Sequence, residues 1–182
     1  MSGPEKLSQV ETVISPWMTL IEKVYRLPGH ETPQSFHGIR PADYVTVLAI
    51  DRDGCIPLVR QFRPVLERFT LELPGGLLDD KDEEPQAAAV RELVEETGFF
   101  APKQVIPLPV SYVDSGRLEN RLFGFCMTGL VPPGGDWTPE PGVEVLRVTQ
   151  AELVDAVRAG KLDHAPHVGM VGFGVLLGLL AP

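Results

Sequence analysis

The chain has 182 residues, of which 43% are hydrophobic and 23% are charged, so it can bury a globular core. Its formal net charge of −9 argues against binding to nucleic acid or to anionic membranes, although a metal ion could still bring a phosphate substrate to it. Residues 1–15 have no basic start or apolar run, and the apolar C-terminal segment is shorter than the ~20 residues of a membrane span. We therefore expect a cytoplasmic protein whose cysteines, Cys55 and Cys126, are reduced core thiols.

Strand patterns dominate the N-terminal part of the chain. Residues 1–16 are expected to be poorly ordered or to lie at a sheet edge, and residues 17–27 are predicted as a strand that ends at a turn. The runs Tyr44–Ile50 and Cys55–Phe62 flank the turn sequence Asp-Arg-Asp-Gly, which predicts a β-hairpin. Residues 69–76 predict a further short strand that ends in a Pro-Gly-Gly turn.

The clearest helix is predicted at residues 85–97, with Pro85 in its first turn and Gly98 just after its end. Strand patterns follow, with a loop before the last of them, at residues 105–115, 120–130 and 143–149. Further helices are predicted near the C-terminus, from residue 150 and from about residue 164. This order of elements predicts an α/β fold, in which a mixed sheet carries helices on its faces.

Three glutamates crowd the end of the predicted helix. On a helix, Glu92 lies three residues before Glu95 and four before Glu96, so the carboxylates share one face. Each like-charge pair costs roughly 0.2–0.5 kcal/mol, and the partial negative charge of the helix C-terminus adds to the repulsion. A bound Mg²⁺ or Mn²⁺ would remove this conflict, because both ions accept carboxylate, carbonyl and water oxygens. The alternative is a solvated acidic face that Arg91 and nearby basic groups offset.

The segment from Gly76 to Phe99 resembles the Nudix box of the Nudix hydrolases. The residues that carry the resemblance are Glu83, Arg91, Glu92, Leu93, Glu95, Glu96, Gly98 and Phe99. The sequence departs from the family's pattern once, because the turn between Gly76 and Glu83 is one residue longer than usual. Residues 57–76 and 160–173 also resemble the ADP-ribose pyrophosphatase branch of this family.

This resemblance implies the Nudix fold, an α/β/α sandwich with a mixed sheet, in residues 41–182. Residues 1–40 would form a small N-terminal β segment that takes part in a homodimer. The implied activity is metal-dependent hydrolysis of the diphosphate bond in a nucleoside diphosphate sugar, which yields a nucleoside monophosphate and a sugar phosphate. ADP-ribose is the first candidate for the substrate. Two alternatives stay open, a nucleotide-sugar sensor without turnover and a Nudix hydrolase of a nucleoside triphosphate or a capped RNA end.

The resemblance also implies roles for individual residues. The metal ligands would be Glu92, Glu95, Glu96 and the carbonyl of Gly75, with Mg²⁺ as the cofactor and Mn²⁺ as the other choice. Glu95 would otherwise orient a ligand, as Arg91 would by ion pairing, and Glu83 would cap or brace the loop before the helix. The substrate contacts would be Arg63, Glu72, Arg117 and Trp17.

Two glutamates are candidates for the general base. Glu140 lies in the loop at residues 132–142, where a plain surface charge is the alternative, and Glu119 could instead be a turn or strand-edge residue. The aromatic residues that could stack on a nucleotide base are Trp17, Tyr25 and Phe36, although packing in the core or at a sheet edge is the favoured interpretation of each one taken singly. Trp137 could act as a lid near Glu140, and a metal pair of His164 and His167 is the less favoured interpretation of their spacing.

Overall fold

The computed structural model of the chain describes residues 3–78 and 83–180. It divides into two compact units, which are described separately. The N-terminal unit comprises Met1–Asp43 and Tyr112–Arg121, and the second unit comprises Tyr44–Ser111 and Leu122–Pro182. Part of the turn predicted to be longer than in the Nudix family, residues 79–82, lies outside the described residues.

The N-terminal unit is built on an antiparallel sheet of three strands. Their order is β1 (Glu5–Ser15), β2 (Met18–Arg26) and β3 (Gln34–Arg40), with β2 in the middle. The segment at residues 112–121 attaches to β3, because the amide of Ile39 donates to the carbonyl of Arg117 at 2.7 Å. Of the two alternatives for the N-terminal segment, the structure shows the sheet edge, which Glu5–Ser15 forms. It also adds β3, whose polar sequence gave no strand signal.

The elements that follow along the chain are β4 (Tyr44–Asp51), β5 (Ile56–Arg63), β6 (Arg68–Glu72), β7 (Gly75–Leu77), α1 (Pro85–Thr97), β8 (Gln104–Pro107), β9 (Ser111–Tyr112), β10 (Arg121–Leu130), β11 (Val143–Val148), α2 (Gln150–Arg158) and α3 (Ala165–Leu176). One sheet of the second unit has the order β7-β4-β10-β8, in which β4 and β10 run parallel and the other neighbours antiparallel. The other sheet has the antiparallel order β11-β5-β6. The predicted helices are confirmed, and so are the predicted strands, except that the run at residues 105–115 forms two short strands, β8 and β9, instead of one.

The prediction that β4 and β5 form a hairpin is wrong, because the two strands belong to different sheets. The local turn chemistry is as expected, since the carboxylate of Asp51 accepts hydrogen bonds from the amides of Asp53 and Cys55, each at 2.9 Å. However, β4 is buried along almost its whole length and takes a strand partner on both edges. The predicted Pro-Gly-Gly turn needs a similar correction, because Gly75–Leu77 is itself a short strand beside β4.

Helices cover the sheets through two apolar clusters. One cluster packs Ala88, Ala89 and Leu93 of α1 against β4 and β10, and the other contains Leu153 of α2 and Met170 of α3. This arrangement confirms the predicted α/β/α sandwich with a mixed sheet. Among the residues that the structure describes, no helix is both long and apolar enough to cross a membrane.

Candidate active site

Helix α1 separates its buried face from its acidic face. Ala88, Ala89, Leu93 and Thr97 are buried, whereas the side chain of Glu95 is 57% exposed and that of Glu92 is 14% exposed. Gly98 ends the helix with a positive φ of 69°, and its amide donates to the carbonyl of Val94 at 2.8 Å. The local sequence therefore both forms this helix and directs its glutamates away from the core.

The backbone of β7 lies directly against two of these carboxylates. The amide of Gly75 donates to the carboxylate of Glu96 at 2.9 Å. A Cβ atom at Gly76 would lie only 2.5 Å from the carboxylate of Glu92, so a side chain there would displace it. At Gly75 a Cβ would lie 2.2 Å from the carbonyl oxygen of Val45. The missing side chain at Gly76 lets β7 lie close to the carboxylate of Glu92, and the missing side chain at Gly75 lets β7 lie close to β4.

Arg91 holds the acidic cluster together from one side. Its guanidinium lies 3.1 Å from Glu83, 2.8 Å from Glu92 and 3.1 Å from Glu95. The hydrogen bonds that Arg91 donates to Glu83 and Glu92 raise the pKa of Arg91, although burial lowers it. Arg91 is thus ion-paired with Glu92 and Glu95 of the acidic face, and Glu83 contacts the helix through Arg91.

The negative charge of Glu96 lies in an unfavourable environment. Burial is the main cause that raises its pKa to about 7. The carboxylates of Glu92 and Glu72 act in the same direction, while the amide of Gly75 and the charge of Arg63 act in the opposite direction. A negative charge at this position is therefore poorly compensated by the protein alone.

The donor set fits a hard divalent cation. Carboxylate oxygens of Glu92 and Glu96 meet the backbone of β7, and the mutual repulsion that raises the pKa of Glu96 is relieved by a positive ion. Glu95 is more exposed than Glu92, is paired with Arg91, and lies at the edge of this group of oxygen donors.

Arg63 and Glu72 form a second charged pair in the same unit. The guanidinium of Arg63 makes two hydrogen bonds to the carboxylate of Glu72, at 2.8 and 2.5 Å, and the hydroxyl of Thr70 donates to it at 2.6 Å. Burial tends to raise the pKa of Glu72, but the hydrogen bonds from Arg63 and Thr70 outweigh it and lower the pKa to about 2. Thr70 was not predicted, although its position two residues before Glu72 on β6 places both side chains on one face.

The two C-terminal histidines meet Glu72 in the structure. One potential ligand atom from each of Glu72, His164 and His167 lies within 4.8 Å of the others. The atoms are already engaged, however: the Nδ1 atom of His167 accepts from the amide of Leu73 at 3.1 Å and Glu72 is held by Arg63. This cluster is better described as a hydrogen-bonded network than as a metal site.

His167 should make stability depend on pH. Burial, followed by the neighbouring His164, lowers its pKa from 6.5 to about 3, so the folded protein keeps the ring neutral while the unfolded chain protonates it. The free energy of unfolding is therefore not reduced by His167 above pH 6.5. It falls as the pH decreases from 6.5 toward 3, and at pH 5 the reduction is about 2 kcal/mol. Urea unfolding of the parent and of His167→Asn should therefore show a steeper loss between pH 7.5 and 5 for the parent. Equal slopes would contradict a buried neutral histidine.

The N-terminal unit contains two residues predicted to contact the substrate, Trp17 and Arg117, and one candidate for the general base, Glu119. Trp17, in the turn between β1 and β2, is 68% exposed. Arg117 and Glu119 line a cleft of about 340 Å³ together with the ring of Phe36. Lys23 and Arg40 contact the carboxylate of Glu119 at 2.5 and 2.6 Å.

The pairing of Glu119 argues against a role as general base. Hydrogen bonds from Lys23 and Arg40 lower the pKa of its carboxyl, which makes it a weaker proton acceptor. Glu140 is exposed in the loop before β11, where its carbonyl accepts from the amide of Val143 at 3.0 Å. Trp137 packs over Gly98 at the end of α1, since a Cβ there would lie 2.5 Å from its ring.

Comparisons with known proteins identify the family of this chain. Residues 40–167 match the family model described as the NUDIX domain. An ADP-ribose pyrophosphatase of Bacillus subtilis (strain 168) is 35% identical over 123 residues, which cover 66% of this chain and 65% of that protein. A CMP-5'-(N-acetyl-N-hydroxy-3-aminopropyl)phosphonate hydrolase of Streptomyces rubellomurinus (strain ATCC 31215) is 28% identical over 167 residues, or 92% of this chain and 76% of that one.

The chain is also similar to a solved structure described as an ADP compounds hydrolase, with a TM-score of 0.81. The aligned part covers 98% of this chain and 97% of the solved one. Its sequence identity is 20%, so this likeness concerns the fold. The match to the Bacillus protein spans less than two thirds of that protein's length. Since the family model covers more than half of the chain and the fold agrees with it, this protein belongs to the NUDIX domain family.

Proposed function

We propose that this protein hydrolyses the diphosphate bond of a nucleoside diphosphate sugar, with ADP-ribose as the default substrate, to a nucleoside monophosphate and a sugar phosphate. The observation that carries the proposal is the convergence of the Glu92 and Glu96 carboxylates on the backbone of Gly75 and Gly76. The ADP-ribose pyrophosphatase relative of Bacillus subtilis supports the choice of substrate class.

The residues of α1 and β7 would hold the cation, which we propose to be Mg²⁺ with Mn²⁺ as a substitute. A bound divalent cation supplies positive charge to the phosphate oxygens and lowers the pKa of bound water. Arg91 keeps Glu92 in place, and the amide of Gly75 fixes one oxygen of Glu96. Arg63, whose side chain is 40% exposed while it is fixed by the buried Glu72, is available to contact a substrate phosphate.

We assign the general base to Glu140 rather than Glu119. Glu140 is exposed on a loop, whereas Glu119 is paired with two cations and has a lowered pKa. Loops that carry catalytic groups can close over a bound substrate, and the prolines on either side of Glu140 limit the conformations of this one.

A substrate panel with Mg²⁺ tests the activity directly. The panel contains ADP-ribose, ADP-glucose, GDP-mannose, UDP-glucose, NADH, diadenosine polyphosphates, a CMP-linked phosphonate and nucleoside triphosphates, with products separated by chromatography. We expect one diphosphate sugar to yield a nucleoside monophosphate and a sugar phosphate, and EDTA to abolish the reaction because the site needs a cation. Pyrophosphate release from a triphosphate would instead support the triphosphate alternative. Tight nucleotide-sugar binding with no product would support the sensor.

We further propose that the protein is a homodimer in which the N-terminal unit of one subunit completes the site of its partner. The edge strand β1 is exposed along its length, and the apolar side chains of Val10, Val13 and Ile14 are each more than half exposed. Exposed apolar residues on a sheet edge are typical of a strand covered by another chain.

We also propose that the protein acts in the cytoplasm, and its two cysteines, which form no disulfide, are consistent with this location.

Mixing two defective variants tests this shared site. Glu96→Gln should inactivate the metal site, and Phe36→Ala should weaken substrate binding in the cleft. Random reassortment makes about half of the dimers mixed, each with one intact site, so activity should return to about a quarter of the parent level. Light scattering and an affinity tag on one variant confirm that mixed dimers form. Mixed dimers without any gain in activity would contradict a site built from two subunits.

A further inference from the structure

His167 occupies an unusual place for a polar side chain. It is fully buried in α3, among the apolar residues Met170, Val171 and Gly174, which are also buried. Its Nδ1 atom accepts a hydrogen bond from the backbone amide of Leu73 at 3.1 Å. Burying an imidazole costs free energy unless its nitrogens are paired, so this contact is a specific one.

Leu73 lies in the short connection between β6, which carries Glu72, and β7, which begins at Gly75. The residue before it is Glu72, which fixes Arg63, and two residues after it the amide of Gly75 donates to Glu96. The same connection is also held by the carbonyl of Pro74, which accepts from the amide of Val47 at 2.9 Å. The peptide that His167 contacts therefore links the arginine pair to the acidic face of α1.

We propose that His167 is a positioning residue, which holds the backbone at Leu73 so that Glu72 with Arg63 and Gly75 with Glu96 keep their places around the substrate. This inference rests on the proposed function, because it assigns an effect on the same site. His167 itself contacts neither the acidic face of α1 nor Arg63 among the interactions of the described residues, and it acts through the chain at residues 72–75.

The tautomer of His167 follows from its partners. Because Nδ1 accepts from an amide, the proton of the neutral ring is on Nε2, which faces the hydroxyl of Tyr44 at 3.4 Å. The Nδ1 atom of His164 lies 3.3 Å from the Nδ1 atom of His167, whose single lone pair is already used by the amide of Leu73. The hydroxyl of Tyr44 can accept from Nε2, which agrees with the tautomer that leaves an acceptor directed at Leu73.

Two amide variants separate positioning from simple core packing. In His167→Asn the side-chain oxygen can take the place of Nδ1, whereas in His167→Gln the longer side chain carries its polar atoms to the place of Nε2. We expect both variants to lose stability, but His167→Asn should keep kcat within about threefold of the parent, and His167→Gln should lose roughly 10- to 100-fold and need more Mg²⁺ for half-maximal activity. The matched control is Leu153→Ala, a core change in α2 that should lower stability and leave the Mg²⁺ requirement unchanged.

Measurements without substrate make the proposal independent of the activity. In a ¹⁵N-labelled protein, a scalar coupling between the Leu73 amide nitrogen and Nδ1 of His167 should be observed, because the hydrogen bond joins the two nitrogens. Amide hydrogen exchange at Leu73 and Gly75 should be faster in His167→Gln than in His167→Asn at matched stability. Equal exchange at Gly75 and equal Mg²⁺ requirement in the two variants would overturn the proposal. If the parent cleaves no substrate of the panel, the proposed function fails, while the coupling and the exchange rates still report on His167.

Discussion

Glu96→Gln should lower kcat/KM for the nucleoside diphosphate sugar by roughly 10²- to 10⁴-fold, because a metal ligand supplies several kcal/mol of transition-state stabilisation. The fold should survive the change. Glutamine retains a side-chain oxygen that can accept from the amide of Gly75, and it removes a charge that Glu92 and Glu72 oppose. In metal-free buffer at pH 8 the variant should therefore be at least as stable as the parent. Steady-state kinetics over a Mg²⁺ series and urea unfolding measure the two effects.

The matched control for this experiment is Glu84→Gln. Glu84 precedes the same helix and is exposed, and its side chain makes no capping hydrogen bond. This substitution removes the same charge from the opposite end of α1, away from the acidic cluster, so turnover should stay within about twofold of the parent. Glu95→Gln should have an intermediate effect, since its side chain is exposed at the edge of the cluster. Unchanged turnover in Glu96→Gln would show that the acidic face of α1 does not bind the catalytic cation.

Alanine at two neighbouring glycines should affect two different properties. Gly76→Ala should mainly lower turnover, whereas Gly75→Ala should mainly lower stability. The methyl group at position 76 would collide with the carboxylate of Glu92, the end of a flexible side chain that can move away. We expect stability to change by less than about 1 kcal/mol and turnover to fall roughly 10- to 100-fold, because Glu92 leaves its place. The methyl group at position 75 would instead meet the backbone of Val45 and Thr46, which cannot move without disturbing β4. That variant should lose about 1–3 kcal/mol or more of stability.

Thermal unfolding and the Mg²⁺ dependence of turnover distinguish the two variants. In Gly76→Ala the midpoint of unfolding should stay near that of the parent while the half-maximal Mg²⁺ concentration rises. Gly75→Ala should show the lower midpoint in the absence of any ligand. Full activity of Gly76→Ala at the parent's Mg²⁺ requirement would mean that the position of Glu92 does not matter for catalysis.

These predictions rest on one arrangement, in which each charged group of the site is held by a neighbour of a different kind. Arg91 restrains Glu92, the backbone of β7 restrains Glu96, and Glu72 restrains Arg63. Such restraint is useful in catalysis, because groups that are already in place need not be reorganised when charge develops on the substrate. It also explains why the most informative variants are those that release one restraint and leave the charged group itself unchanged.

The bounds of α1 and the shared face of its glutamates were determined by the sequence alone. Pro85, the apolar stripe and Gly98 act within a few residues of one another, so they predict the bounds of the helix correctly. The shared face of Glu92, Glu95 and Glu96 follows from helical periodicity, which needs no knowledge of the rest of the chain. The resemblance to the Nudix box rests on the same local spacing.

Only the tertiary structure decided which distant segments meet this helix. The turn after β4 was predicted from its residues, but the sheet that each flanking strand joins depends on partners far along the chain, such as β10 and β11. The same holds for Gly75 against Glu96 and for His167 against Leu73, which are separated by 21 and 94 residues. Local sequence specifies the conformation of a segment, whereas these contacts are selected by burying both faces of the sheets at once, a condition that no single segment contains.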